Sequence, residues 1–248
     1  MVALSAVGFG VFFLASLAIG VRLVALAART GRRPELLIGI GILGIGPTAM
    51  GSMMAAAALA GSAPALARGL TGLAFVAISL GATAACVFNW RVFRPEQPSA
   101  RIFVGATAGL FALAIAAEGM TTGFADPLRP GAAGLFVSAL CAANLLWGAG
   151  ESLRYWLLMR RRLRLGLADP LVTNRFLLWG IGIGAAGVGS VISLAAQLAT
   201  GDAMAELPAL MLSNSLHGLT SAVLMWVAFV PPAAWKRFVL EGHRATAA

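Results

Sequence analysis

Seven long apolar runs, separated by short connectors that carry proline and charge, constrain this sequence more than any other feature. Each run has about 20 residues or more, enough for an α-helix to cross roughly 30 Å of hydrocarbon. A transmembrane β-barrel would instead show alternating segments of about 10 residues. We expect seven transmembrane helices, over residues 3–28, 36–61, 70–93, 102–124, 132–158, 176–200 and 209–235.

The scarcity of charge points to the same class of protein. Of the 248 residues, 60% are apolar and 11% are charged, whereas a soluble domain carries about 25% charged residues. So little charge excludes a single soluble globule and also a disordered chain. The sequence therefore predicts an all-α, polytopic membrane protein in which residues 1–248 form one transmembrane domain.

The basic residues predict how the helices are oriented. The chain has 18 Lys and Arg against 9 Asp and Glu, a net charge of +9. All of the 18 except Arg68 and Arg129 fall on the side that receives the connectors after runs one, three and five and the C-terminal segment. By the positive-inside rule, the N-terminus is outside and the C-terminus is cytoplasmic. The first run is too long for a cleaved signal peptide, and its positive charges follow it. The compact, Ala- and Arg-rich chain suggests a bacterial cytoplasmic (inner) membrane.

Two short patterns recur along the chain. Trp90-x-x-Phe-x-Pro at the end of run three returns at Trp226, 136 residues later. The Leu-Leu-x-Gly-Ile-Gly-Ile pattern that begins at Leu36 returns at Leu177, 141 residues later. A duplication would give repeat units 1–98 and 131–235 in the same orientation, joined by a linker helix at 101–124. Convergent composition is the alternative explanation.

This arrangement resembles the seven-helix membrane proteins with a 3+1+3 organisation, which include opsin-like, receptor-like and SWEET/PQ-loop-like proteins. The resemblance covers the whole chain and rests on helix number, orientation and the repeat. The PQ dipeptide is missing from runs two and six. A retinal Schiff base needs a lysine in the middle of the seventh helix, and Lys236, the sole lysine, lies at its cytoplasmic end. Retinal chemistry is therefore disfavoured, and we predict no cofactor.

Ionisable and amide side chains inside the runs are the main functional candidates, because they are costly in a membrane and usually face the bundle interior. Glu118, Asn214 and His217 lie in the outer halves of their runs, and Gln197 lies at the outer end of run six. We predict that they line a pocket open to the outside for a small ligand or a proton. The alternative is that they form structural hydrogen bonds between helices.

A second polar group lies towards the cytoplasmic side. It consists of Asn144, Glu151, Arg154, Asn89, Arg91 and Arg22. This inner polar cluster either locks the cytoplasmic helix ends together or acts as a gate. Pro47 should kink the second helix, because proline lacks the N–H needed there.

Surface and packing residues complete the predictions. The basic cluster of Arg160, Arg161, Arg162 and Arg164 should contact anionic lipid head groups or an acidic partner. The small-xxx-small pairs Gly105/Gly109 and Gly180/Gly184 should pack helices inside the bundle, or else form a homo-oligomer or a contact with a partner subunit. Cys86 and Cys141 read as buried packing thiols. We expect no metal site, no nucleic-acid binding and no enzyme activity, since no catalytic or ligand-spacing motif appears.

The leading functional hypothesis from the sequence is a membrane sensor or receptor that binds a small ligand or proton in the outward pocket. One alternative is a small-solute transporter built on 3+1+3 repeats. Another is an accessory subunit of a larger membrane complex.

Overall fold

A computed structural model describes the backbone of residues 2–202 and 206–247, and the side chains of 6–202 and 206–243. The described residues form eight helices, and seven of them are long and apolar enough to cross a membrane. These are α1 (Val2–Thr30), α2 (Arg33–Leu59), α3 (Pro64–Phe93), α4 (Pro98–Thr121), α5 (Ala132–Arg164), α6 (Pro170–Thr200) and α7 (Pro208–Phe229), followed by α8 (Ala233–Ala247). Length and composition identify an integral membrane protein. The side chain of Arg244, one of the predicted cytoplasmic basic residues, is outside the described part.

Proline explains where several helices begin. Pro64, Pro98, Pro170 and Pro208 each occupy the first position of a helix, where the missing N–H has no intrahelical partner to lose. Helices α3 and α6 consequently begin six residues before the predicted runs at 70 and 176. At α6 the side chain of Asp169 also caps the backbone N–H groups of Leu171 and Val172 at 2.7 and 3.2 Å, as N-cap carboxylates do.

The seventh spanning helix ends six residues before residue 235, the limit of its apolar run. Helix α7 ends at Phe229, and the chain turns at Pro231 and Pro232 before α8 begins at Ala233. Proline cannot continue a helix, because it lacks the N–H and its ring clashes with the preceding turn. Lys236 therefore lies on α8, which packs against α6.

Six of the spanning helices form a closed ring. Each packs against its neighbours in the order α1, α2, α3, α5, α6 and α7, and α7 returns to α1. Helix α4 lies outside this ring, against α3 and α5. The ring thus consists of two three-helix units, α1–α3 and α5–α7, that meet along two seams.

Glycine allows neighbouring ring helices to approach closely. A Cβ atom placed on Gly44 of α2 would lie 2.7 Å from the carbonyl oxygen of Ala77 and 2.8 Å from the Cα of Gly81 on α3. A similar close approach joins Gly39 to Gly20 in the first unit and Gly180 to Ser152 in the second. Small residues give membrane helices this backbone contact where lipid supplies no hydrophobic drive.

The two predicted small-xxx-small pairs have different environments. Gly180 and Gly184 lie against Leu153 and Ala149 of α5, inside the ring. Gly105 and Gly109 are on the outward face of α4, and no heavy atom of the described chain would contact a Cβ at either position within 4 Å.

Candidate binding cavity

A cavity of about 80 Å³ lies inside the ring. That space exceeds what one water molecule requires. Every ring helix contributes to its wall, whereas no described residue of α4 does. The wall is formed by Phe12, Ser16, Ile38, Gly41, Ile42, Ile45, Gly46, Ala85, Phe88, Asn89, Asn144, Leu145, Gly148, Trp179, Ile183, Ala186, Ser221 and Met225.

Four polar side chains in this wall are buried: Ser16, Asn89, Asn144 and Ser221, of which Ser221 donates to the sulfur of Met225. Ser16 is 1% exposed, and Asn144 is 2% exposed. The hydroxyl of Ser16 and the Oδ1 atom of Asn144 have no hydrogen-bond partner within the described chain, although the Asn144 amide nitrogen donates to the carbonyl of Ala82 on α3. Asn89 is buried in the same wall, and its amide nitrogen would lie 3.0 Å from a Cβ placed on Gly148. A buried polar group without a partner is destabilising, so these atoms favour a bound polar molecule.

The two three-helix units contribute equivalent positions to the cavity. The two sequence patterns recur at offsets of 136 and 141 residues. Lining residues of α3 and α7 are related by the offset of 136, and those of α2 and α6 by the offset of 141. An offset of 132 relates the lining residues of α1 and α5, and the two members of each pair lie on opposite walls. The pairs are Phe12/Asn144, Ser16/Gly148, Ile38/Trp179, Ile42/Ile183, Ile45/Ala186, Ala85/Ser221 and Asn89/Met225. The same offsets relate two helix contacts: Gly20 corresponds to Ser152 by the offset of 132, and Gly39 corresponds to Gly180 by the offset of 141. The Gly20–Gly39 contact of the first unit is therefore equivalent to the Ser152–Gly180 contact of the second.

Pro47 lies in an irregular turn beside the cavity. Residues Gly44–Thr48 of α2 form a π-helical turn that contains it. Proline removes one backbone donor, and single π-turns often occur at functional sites. Gly46 in this turn lines the cavity, and a Cβ there would be 3.0 Å from the Cβ of Ser16.

At one end of the bundle, an ion pair joins the two units. Glu151 of α5 is buried, and Arg94, which follows α3, contacts its carboxylate at 2.8 Å. Arg154 reaches the same carboxylate at 3.4 Å from an exposed position. In the sequence, Arg154 follows Glu151 by three residues, whereas Arg94 is 57 residues away. Arg94 was missed because its proximity to α5 arises only when α3 and α5 pack.

The predicted inner polar cluster is therefore divided. Glu151 and Arg154 are in the ion pair, whereas Asn89 and Asn144 face the cavity. Arg22 and Arg91 are exposed, and the guanidinium of Arg91 lies 5.5 Å from the ring centroid of Trp90.

Aromatic side chains pack at the same end as the ion pair. The rings of Tyr155 and Phe176 are 4.7 Å apart, and Phe93 lies 5.6 Å from Tyr155 and 6.1 Å from Phe176. These three residues, the aromatic cluster below, come from α3, α5 and α6. The ion pair and the aromatic cluster together connect the ends of α3, α5 and α6 next to the cavity.

Glu118 has a different environment from the one predicted. Its carboxylate accepts the backbone N–H groups of Gly131 at 2.8 Å and Gly134 at 2.7 Å, and the hydroxyl of Thr122 at 2.9 Å. The two glycines lie at the start of α5, where backbone N–H groups lack intrahelical partners. Glu118 therefore caps the next helix, and its carboxylate is bound by these three groups rather than by Gln197, Asn214 or His217.

Of the other three residues of the predicted outward pocket, Asn214 and His217 of α7 both lie against Gly189 of α6, whereas Gln197 bonds within α6. Ser193 donates to Oδ1 of Asn214 at 2.8 Å, and Gln197 donates to the carbonyl of Ser193 at 3.2 Å. His217 Nδ1 lies 2.7 Å from the carbonyl oxygen of Ser213, and its ring packs on Gly189. The hydrogen bond from Ser193 to Asn214 and the packing of His217 on Gly189 join α6 to α7, whereas the other two contacts lie within one helix.

The remaining predicted residues lie at the periphery or in the packed interior. The basic cluster Arg160, Arg161, Arg162 and Arg164 is exposed at the end of α5, with Arg160 5.0 Å from the ring centroid of Trp156. Cys86 and Cys141 are free, buried thiols. At the end away from the ion pair, Arg129 contacts Glu206 at 2.6 Å, and this hydrogen bond raises the pKa of Arg129.

Comparison with protein-family models, characterised proteins and solved structures finds no match to this chain.

Proposed function

We propose that the protein is a membrane transporter for a small solute, with its binding site in the cavity between the two three-helix units. One observation carries the proposal: two residues that line one cavity, Ser16 from the first unit and Asn144 from the second, have buried polar atoms without a partner in the described chain. Transporters built from repeats place their substrate at the repeat interface near the middle of the bilayer.

The paired lining positions support this function. Because equivalent residues of the two units face each other across the cavity, rocking one unit against the other would open it to either side in turn. Helix α4 contributes nothing described to the wall and packs outside the ring. It fits the role of the linker that gives two three-helix units the same orientation.

The contacts at one end of the cavity suit a gate. Arg94 and Glu151 join the two units through side chains alone, and the aromatic cluster lies beside them. Side-chain contacts of this kind can separate without unfolding a helix. The π-helical turn at Pro47 supplies a point in α2 at which the backbone hydrogen bonding is already interrupted.

We propose the orientation given by the basic residues, with the N-terminus outside and the membrane that of a bacterial cell. The gate formed by Arg94 and Glu151 then faces the cytoplasm. The exposed arginines at the end of α5 lie at the cytoplasmic surface, where anionic head groups attract them.

A receptor is the second candidate, and the contacts between α6 and α7 favour it. Asn214 and His217 of α7 lie against Gly189 of α6, so a ligand that binds there would shift α7 against α6. Glu118 is not available to this site, because its carboxylate is used by α5. The third candidate, an accessory subunit, draws on the open Gly105 and Gly109 face of α4.

Flux measurements in proteoliposomes test the transport proposal. The purified protein is reconstituted and screened for uptake of small solutes, with Asn144→Leu as the variant and empty vesicles as the baseline. Transport predicts solute-specific uptake that Asn144→Leu abolishes. Retention of bound solute without any uptake would favour a receptor instead.

A further inference from the structure

We infer that the central cavity takes a small uncharged solute that donates hydrogen bonds, such as a neutral alcohol or amide of a few heavy atoms. This inference rests on the proposed function and names the substrate class of the same site. It follows from three properties of the cavity wall: its charge, its hydrogen-bonding atoms and its size.

No charged side chain lines the cavity in the described chain. Glu151, the nearest acidic group on α5, is already paired with Arg94 and Arg154. A bound ion would lose its hydration without meeting an opposite charge, and burying an uncompensated ion is far more costly than burying a neutral polar group. The wall therefore favours a solute with no net charge.

The orientation of Asn144 sets what the solute must supply. Its amide nitrogen is already used by the carbonyl of Ala82, which leaves Oδ1 as the free atom. An amide oxygen only accepts hydrogen bonds, so the solute must carry an O–H or N–H donor on that side.

Ser16 and Asn89 do not restrict the solute in this way. The hydroxyl of Ser16 can donate and accept, and so can the amide of Asn89. A molecule that carries both a donor and an acceptor, as an alcohol or an amide does, satisfies all three side chains at once. A hydrocarbon satisfies none and would leave Ser16 and Asn144 unpaired.

Apart from Ser221, the remaining wall is mostly apolar, with Phe12, Phe88 and Trp179 as its largest members. The two phenyl rings cover the carbon skeleton of a bound alcohol or amide and offer no competing hydrogen bond, whereas the indole N–H of Trp179 is a donor. The volume of about 80 Å³ admits only a compact molecule. Glycerol and urea are the probes that match the charge, the donors and the size.

Ser16→Ala is the most informative variant, because it removes only the hydroxyl oxygen that has no partner in the described chain. Its matched control is Ser79→Ala. The hydroxyl of Ser79 is also buried and unpartnered, yet Ser79 does not line the cavity. Neither change removes a hydrogen bond made within the described chain, so both variants are expected to fold.

The experiment measures glycerol and urea permeability of proteoliposomes by stopped-flow light scattering, together with retention of radiolabelled probe by the detergent-solubilised protein. We expect glycerol or urea flux above that of empty vesicles. Ser16→Ala should lower this flux about threefold to tenfold, the factor for the loss of one hydrogen bond. Ser79→Ala should leave it unchanged, and potassium and acetate should not be carried.

Failure of this inference is distinguishable from failure of the proposed function. Potassium or acetate flux that depends on Ser16 and Asn144, without glycerol or urea flux, would overturn the substrate class and keep transport. Retention of glycerol or urea that Ser16→Ala weakens, without flux, would keep the substrate class and overturn transport. Equal flux in Ser16→Ala and Ser79→Ala would show that the solute does not pass through the cavity. If no probe is either retained or transported, both proposals are overturned.

Discussion

The backbone N–H of Gly134 lies 2.7 Å from the carboxylate of Glu118, which belongs to the preceding helix. Gly131 and Thr122 donate to the same carboxylate, which is 1% exposed. The carboxylate thus occupies the N-terminus of α5, where the helix dipole and the free N–H groups both stabilise negative charge. A buried acid in a membrane helix is used here to join α4 to α5.

Glu118→Gln should destabilise the protein. A glutamine amide presents one NH2 group, which cannot accept the N–H of either glycine, so one backbone donor is left unpaired at a cost of about 1–3 kcal/mol. Unfolding of the detergent-solubilised protein measures the change. Glu206→Gln is the control, because its partner Arg129 is in an exposed connector, and it should cost less. If Glu118→Gln leaves the stability unchanged and instead removes a pH dependence of solute flux, the result would support the proton site predicted from the sequence.

Arg94→Gln should cost more stability than Arg154→Gln. Arg94 makes a 2.8 Å contact with the buried carboxylate of Glu151, whereas Arg154 is 56% exposed and reaches it at 3.4 Å. Losing a hydrogen bond to a charged group costs about 1.5–3 kcal/mol, and an exposed ion pair contributes little. The same unfolding assay compares the two variants, and equal losses would contradict the structural assignment of Arg94.

Gly81→Ala should disrupt the contact between α2 and α3. The new Cβ would lie 2.8 Å from the backbone nitrogen of Ile45 and 3.0 Å from the Cα of Gly44, and neither backbone atom can move alone. Overpacking of this kind costs about 1–3 kcal/mol. Gly105→Ala is the matched control, since nothing lies within 4 Å of its Cβ position. It should be neutral or stabilising by up to about 1 kcal/mol, the helix propensity difference. Similar losses in both variants would show that the α2–α3 contact is not close.

Single cysteines test the proposed orientation. Ser62→Cys lies in the exposed connector before α3, and Glu96→Cys lies in the exposed connector after it. On intact bacterial cells, a membrane-impermeant maleimide should label Ser62→Cys and should reach Glu96→Cys only after permeabilisation. Native Cys86 and Cys141 are buried and give a low background. The reverse labelling pattern would place the N-terminus in the cytoplasm.

The helices were predictable because their signal is local. Apolar runs of sufficient length fixed seven spans, and errors at the ends arose where proline decided the boundary, at Pro64, Pro170 and Pro231. Arg94 was not predictable as a partner of Glu151, because 57 residues separate them and only helix packing brings them together. Gly131 and Gly134 gave no sign of binding Glu118 for the same reason.

Ser16 shows why the cavity could not be predicted from the sequence. A serine within an apolar run carries no signal of its own, because its hydroxyl can bond to the backbone of its own helix at any position. Asn144 and Asn89 were selected because amides are costly in a membrane, and they were predicted to lock or gate the cytoplasmic helix ends in one cluster with Glu151. The structure separates the amides, which face the cavity, from the carboxylate, which is paired with Arg94.

The sequence by itself determined that this chain is a membrane protein, where its helices lie and where its basic residues concentrate, because length, hydropathy and charge placement act locally along the chain. Only the tertiary structure decided which faces point inward, which polar groups are paired and which are left open in the cavity. In a membrane, the lipid and the protein core are equally apolar, so hydrophobicity marks a span without marking its inner face. The inner face is set by close packing at glycine and by hydrogen bonds between distant residues, and these exist only once the helices have assembled.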